Sequence, residues 1–261
     1  MLRILLSVFA VVVVLYLGAC AVLYAFQRSL IYFPQPRTVG TSGTILKLPA
    51  ADADVLVSVR PREGPKALIY FGGNAEDVSL SLPAFSQAFP DHAIYLLHYR
   101  SYGGSSGTPS EEAIQRDATA LFDKVHAEHP QTAVIGRSLG SGVAVRLASR
   151  RPASRLILIT PYDSFQEIAV SQFPHMPVRW LLRDKFESWR YAPHIAVPTL
   201  LIAAEHDEVI PRSSTERLYT RFAKGVATLR VIPGTGHNTI SASPQYLEAI
   251  RAALAPAPAL G

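Results

Sequence analysis

Residues 4–26, ILLSVFAVVVVLYLGACAVLYAF, run for 23 positions without a charge, and no other feature narrows the possible folds as much. As an α-helix the run reaches about 34 Å, enough to cross the hydrocarbon core of a bilayer. A cleavable signal peptide carries a shorter apolar stretch, about 7–15 residues, before a small-residue exit site. Leu17-Gly18-Ala19-Cys20 offers a competing reading as a bacterial lipobox, in which Cys20 becomes the lipidated first residue of the mature protein. Apolar sequence continues through Phe26, where a lipoprotein turns polar, so an uncleaved single-pass anchor is the stronger reading. Tyr16, Tyr24, Tyr32 and Phe33 flank or follow the span, where amphipathic rings suit the membrane interface. Arg3 stands on one side, Arg28 and Arg37 on the other, so the charge rule is nearly balanced. Met1 and Leu2 alone precede Arg3, which leaves little to translocate; a signal-anchor with the body outside the cytoplasm is the expectation.

The rest of the chain has a different character. Hydrophobic residues make up 49% of 261, but residues 1–26 supply 23 of them. Without those, about 45% remains, ordinary for a globular body. Charged residues at 17%, with 20 Pro and 16 Gly scattered, exclude a disordered or low-complexity chain. A single cysteine excludes an internal disulfide framework, no Cys/His cluster has zinc spacing, and no metal or organic cofactor is implied. The net charge of +5 is spread out, with short pairs such as Arg150-Arg151 and no aromatic-interleaved basic stripe. Nucleic acid is therefore excluded as a partner, and a mildly basic surface suits anionic lipid. Nothing in the sequence specifies an oligomeric state.

Eight apolar, β-rich runs divide the body: Thr44–Leu48, Val55–Val59, Ala67–Phe71, Ala93–Leu97, Thr132–Ile135, Leu156–Thr160, Thr199–Ala203 and Thr228–Ile232. The first two read as an antiparallel pair. Helical patterns lie between the others, most clearly Ser110–Glu128, with Ser110 as N-cap, Glu111 and Glu112 in the first turn, and Ile114, Ala118, Leu121, Phe122 and Val125 on one face. Such alternation predicts an α/β fold with an eight-stranded, mostly parallel sheet covered by helices on both faces. Residues 161–197 read as irregular, with Pro161, Pro174, Pro177 and Pro193 among several aromatics, and form a small cap insertion. The expected organisation is an anchor over 1–26 and one domain over 27–261.

Gly136-Arg137-Ser138-Leu139-Gly140 is a G-x-S-x-G motif, fed by a strand and followed by a helical pattern through Val143, Leu147 and Ala148. That setting suits a nucleophile on a sharp strand-to-helix turn, where small residues two before and two after let the backbone fold tightly. A second copy, Gly103-Gly104-Ser105-Ser106-Gly107, is separated from the next helix by Thr108, Pro109 and the Ser110 cap, and reads as a loop. A serine hydroxyl needs a base and an acid to orient that base. His237 lies in the glycine-rich turn Pro233–Asn238 after the last strand, and Asp207 directly follows the strand at Thr199–Ala203, with Asp163 as the alternative acid. His92, His98, His126, His129, His175, His194 and His206 read as solvated. The order Ser138…Asp207…His237 is the one this elbow chemistry requires. The oxyanion donors are the backbone N–H of Leu139 and, from the loop Gly72-Gly73-Asn74-Ala75, that of Asn74, with Gly73 as an alternative.

Taken together, Phe26–Pro34, the Phe71–Asp77 loop, His98-Tyr99-Arg100-Ser101-Tyr102-Gly103, the elbow, the Asp207 turn and Gly236-His237-Asn238 resemble the α/β-hydrolase superfamily over roughly residues 26–255. The similarity is to its membrane-anchored, serine-aminopeptidase-like branch. Gly72 stands where that branch commonly has histidine, and His98 where it has aspartate. Serine as nucleophile argues against the superfamily's dehalogenases and epoxide hydrolases. The resemblance implies a serine hydrolase acting on an ester, thioester or amide, with a small-molecule or lipid acyl substrate. A cap of about 35 residues predicts short to medium acyl chains. The alternative is a membrane-tethered binding or scaffolding domain that keeps the fold without turnover.

Overall fold

Strands buried on both faces read as continuous apolar runs, and the computed structural model, which describes residues 1–38, 44–50 and 52–255, turns each of the eight runs into a strand. They are β1 (Thr44–Ala50), β2 (Ala53–Arg60), β3 (Lys66–Phe71), β4 (Ala93–Leu97), β5 (Gln131–Arg137), β6 (Arg155–Ile159), β7 (Thr199–Ala204) and β8 (Ala227–Ile232). Spatial order is β1-β2-β4-β3-β5-β6-β7-β8. β2 pairs antiparallel with both β1 and β4, and every other pairing is parallel. Parallel pairing aligns the carboxyl ends of β3, β5, β7 and β8 along one edge, where the loops carrying the candidate site emerge.

Helices cover both faces. α1 (Leu2–Ile31) precedes the sheet, α2 (Leu82–Ala88) follows β3, and α3 (Glu111–Glu128) and α4 (Leu139–Ala148) bracket β5. Side chains alternate across each strand. Leu68 and Tyr70 of β3 join Phe85 of α2 in one core, whereas Ile69 and Phe71 join Ile114 and Phe122 of α3 and Val143 of α4 in the other. α3 starts as its sequence dictates, the Ser110 hydroxyl accepting from the Ala113 N–H at 3.2 Å.

Between β6 and β7 the chain is more regular than expected. It forms α5 (Phe165–Gln172), α6 (Val178–Leu181), α7 (Ser188–Tyr191) and a single turn at Ala192–His194. Ser164 caps α5 by accepting from the Glu167 N–H, and Pro174, Pro177 and Pro193 limit the length of each piece. α8 (Arg212–Tyr219) and α9 (Pro244–Leu254) complete the covering, α9 closing the face that holds α2. α1 is long and apolar enough to cross a membrane. Its surface is exposed over most of its length, and Cys20, Gln27 and Ile31 are buried.

Candidate active site

β5 ends at Arg137 and α4 begins at Leu139, so Ser138 alone makes the turn, at φ 49° and ψ −117°. A non-glycine residue in that region costs about 1–3 kcal/mol and persists because its surroundings dictate it. Here the Ser138 N–H donates to the Ile159 carbonyl (2.8 Å), and the Ser138 carbonyl accepts from the N–H (2.8 Å) and hydroxyl (2.6 Å) of Ser141. Neither flanking glycine tolerates a side chain. A Cβ at Gly136 would lie 2.3 Å from the Gly140 carbonyl oxygen, and one at Gly140 would lie 2.1 Å from that of Phe71.

Three loops meet at this turn. His237 Nε2 lies 3.0 Å from Ser138 Oγ, and His237 Nδ1 lies 3.0 Å from each carboxylate oxygen of Asp207. The His237 and Asp207 side chains are 7% and 6% exposed. Asp207 is itself held: its Oδ1 accepts from the N–H groups of Val209 (3.0 Å) and Ile210 (2.7 Å). The carboxylate on Nδ1 selects the Nδ1–H tautomer and leaves the Nε2 lone pair facing the hydroxyl. This line can carry a proton from Ser138 to the imidazole and hold the cation that forms. Asp163 is placed elsewhere, bound to Arg217 Nε (2.6 Å) and the Ser214 hydroxyl (2.5 Å) against α8.

The loop after β3 closes the other side. The Gly73 N–H donates to Glu76 Oε2 at 2.6 Å, so it is occupied. The Asn74 side chain is fixed on four sides: its Oδ1 accepts from the Phe33 N–H (3.0 Å), the Ala75 N–H (3.1 Å) and the Tyr102 hydroxyl (2.7 Å), and its Nδ2 donates to the Ile31 carbonyl (2.6 Å). Among the described residues the Asn74 N–H has no acceptor, and the Leu139 N–H, first in α4, has none within its helix. A cavity of about 410 Å³ opens here, lined among others by Asn74, Arg137, Ser138, Val209 and His237.

Three supporting residues were not singled out from the sequence. Glu76 occupies Gly73 and accepts from the Tyr70 hydroxyl (2.7 Å); Glu208 accepts from the His237 N–H (3.0 Å), which holds its carboxyl below the usual range; and Arg137 donates to the His237 carbonyl (3.2 Å). For Glu76 a signal existed, an acid three residues after a glycine that opens a loop. Two histidine readings need correction. His98 is buried, with Nε2 2.8 Å from Ser58 Oγ, and His129 is buried between the Tyr95 hydroxyl (3.2 Å) and the Gly64 carbonyl (2.7 Å). Both stand at element ends that neighbouring chain covers. Burial lowers the His98 pKa from 6.5 to about 4. His175, His194 and His206 are exposed as expected. The second motif copy is a loop: Ser105 Oγ accepts from the Leu56 N–H (2.8 Å) and donates to the His98 carbonyl (3.0 Å).

Comparison with known proteins agrees with this architecture. The profile of the family described as serine hydrolase (FSH1) matches residues 86–239. An uncharacterized protein of Mycobacterium tuberculosis is 32% identical over 252 residues, covering 89% of this chain and 88% of the relative. Protein bem46 of Schizosaccharomyces pombe is 26% identical over 262 residues, covering 89% of this chain and 87% of its own. Among solved structures, the Pyrococcus furiosus esterase Pf2001 superposes with a TM-score of 0.65 at 17% identity, covering 85% of this chain and 96% of that one. At that identity the likeness is one of fold, the α/β-hydrolase fold.

Proposed function

The chain belongs to the serine hydrolase (FSH1) family, and on that premise we propose that it is a membrane-anchored enzyme that cleaves a carboxylic ester, thioester or amide through an acyl-Ser138 intermediate. The observation that carries the proposal is the continuous line Ser138 Oγ–His237 Nε2, His237 Nδ1–Asp207, at 3.0 Å for each link. In the first half-reaction Ser138 Oγ bonds to the acyl carbon while its proton passes to His237 Nε2. The carbonyl oxygen, now an oxyanion, lies against the N–H groups of Leu139 and Asn74. His237 then returns the proton to the leaving oxygen, sulfur or nitrogen as that bond breaks. Water repeats the sequence on the acyl-serine, with His237 again as base, and releases the acid. Asp207 keeps the imidazole in the required tautomer throughout.

In this reading residues 1–26 anchor the protein, 27–261 form the hydrolase domain, and the excursion between β6 and β7 (161–197) is its cap. The catalytic body faces away from the cytoplasm. An alkaline phosphatase fused at Gly261 is then active; an inactive phosphatase paired with a fluorescent cytosol-only reporter at the same site would place the body inside. The hydrolase assignment is tested on a panel of p-nitrophenyl esters and thioesters. The wild-type protein turns over at least one of them, and Ser138→Ala lowers kcat by about 10⁶-fold. Undiminished turnover by Ser138→Ala removes Ser138 from the mechanism.

A further inference from the structure

α1 and the cap enclose an apolar cleft of about 120 Å³. Leu23, Leu30 and Ile31 form its anchor-side wall, and Phe165, Ala169 and Met176 belong to the wall opposite. The polar side chain in the lining, Gln27, is already spent: its Nε2 donates to the carbonyls of Tyr24 and Leu181 (3.0 Å each), and its Oε1 accepts from the Arg183 N–H (2.7 Å). A molecule in the cleft therefore meets hydrocarbon, which suits an alkyl chain and not a headgroup, nucleotide or anion.

The seam that forms the cleft is clamped with more than a tether requires. Asp184, buried, accepts from Arg28 Nε (3.0 Å) and the Tyr32 hydroxyl (3.1 Å), and Glu111 of α3 accepts from the N–H groups of Lys185 (2.8 Å) and Phe186 (3.0 Å). The Asp184 contacts fix the end of α1 against the cap, and the Glu111 contacts fix the cap against α3.

Both walls are tied by hydrogen bonds to the residues that carry the candidate oxyanion donors. On the anchor side the Ile31 carbonyl is held by Asn74 Nδ2 at 2.6 Å. On the cap side Phe165 packs edge-on against Tyr162, whose hydroxyl donates to the Leu139 carbonyl at 3.2 Å. The other end of the seam lies on the charge-free run that the hydrolase reading takes as the anchor. Tyr16, within the charge-free run, donates to the His175 carbonyl at 3.0 Å, and on the cap Trp180 is 87% exposed.

We propose that this cleft is the acyl-chain site of the enzyme: the fatty acyl tail of a bilayer-resident substrate, of medium length, enters from the leaflet and lies between α1 and the cap with its carbonyl carbon at Ser138. The anchor helix is thus one wall of the substrate site as well as a tether. This deepens the hydrolase reading and rests on it for the position of the carbonyl.

The test uses the full chain in nanodiscs with p-nitrophenyl acetate, octanoate and palmitate. Each buried methylene is worth about fourfold, so octanoate exceeds acetate in kcat/KM by at least about tenfold. Leu23→Trp on the anchor and Ala169→Phe on the cap fill the cleft from opposite walls, and each lowers the octanoate-to-acetate ratio by about tenfold. Met176→Ala enlarges it and moves the optimum toward palmitate. A folding defect lowers all three esters in parallel; a ratio unchanged in both filled variants and in Met176→Ala overturns the site. A second arm needs no turnover. Ser138→Ala protein is irradiated with a diazirine-bearing octanoic acid, and crosslinks are expected on residues 23–31 and 165–182. Crosslinks lost in Ala169→Phe support the cleft even if no ester is hydrolysed, which would count against Ser138 alone. Ester turnover without those crosslinks leaves Ser138 standing and overturns the cleft.

Discussion

Ser138 Oγ lies 3.0 Å from His237 Nε2, and Ser58 Oγ lies 2.8 Å from His98 Nε2. The two pairs are alike in distance and differ in everything around them. His237 has the Asp207 carboxylate on Nδ1 and a cavity in front of its serine partner. His98 has Gly103 against its Nδ1, so close that a Cβ there would lie 2.0 Å away, and both Ser58 and His98 are sealed from solvent. A proton moved from Ser58 to His98 would create a cation in a site that already lowers its pKa to about 4. The second G-x-S-x-G copy belongs to the same sealed place, since Ser105 bonds the His98 carbonyl. Neither a motif nor a serine–histidine distance defines a nucleophile. The carboxylate behind the imidazole and the room in front of the hydroxyl do.

The comparison can be broken by exchanging the pairs' roles. His237→Ala lowers kcat by about 10⁶-fold, and Asp207→Asn by about 10⁴-fold through loss of the correct tautomer. His98→Ala and Asp163→Asn instead lower Tm and leave kcat within a few-fold of wild type. Turnover abolished by His98→Ala in a protein that still unfolds cooperatively would erase the distinction. A smaller effect sharpens it. The folded-state pKa of His98, about 4, lies below the unfolded value near 6.5, so burial of the neutral ring contributes stability fully present above pH 6.5. That contribution falls away as pH drops from 6.5 toward 4, by about 3 kcal/mol in all. Denaturant unfolding at pH 7 and pH 4 should show wild type losing that much more than His98→Gln; parallel losses would mean that the ring is not held neutral.

How much of this was legible in the sequence depends on the range of the contacts involved. All eight strands were, to within two residues at either end: the inner ones because a strand covered on both faces must be apolar throughout, as β4 is, buried at every position, and the half-exposed edge strands β1 and β8 through their β-rich runs. The elbow was legible through local geometry, since Gly136 and Gly140 answer to atoms four residues or one strand away. The short helices of the cap were hidden by their prolines, which signal interruption and not what lies between. No pattern marks the burial of His98 and His129, which is decided by Ser58, Tyr95 and Gly64, remote in sequence, and by Gly103 in the adjoining loop. The seam between α1 and the cap joins positions more than 150 apart, Arg28 with Asp184 and Gln27 with Leu181, and no periodicity in either segment announces the other.

If Ser138 alone among these serines is poised for attack, covalent labelling reads it directly. A fluorophosphonate probe is reacted with the full chain, and the adduct is located by peptide mapping. A single adduct on Ser138 is expected, absent in Ser138→Ala and undiminished in Ser58→Ala and Ser105→Ala. An adduct that survives in Ser138→Ala, or that maps to Ser58 or Ser105, would contradict it.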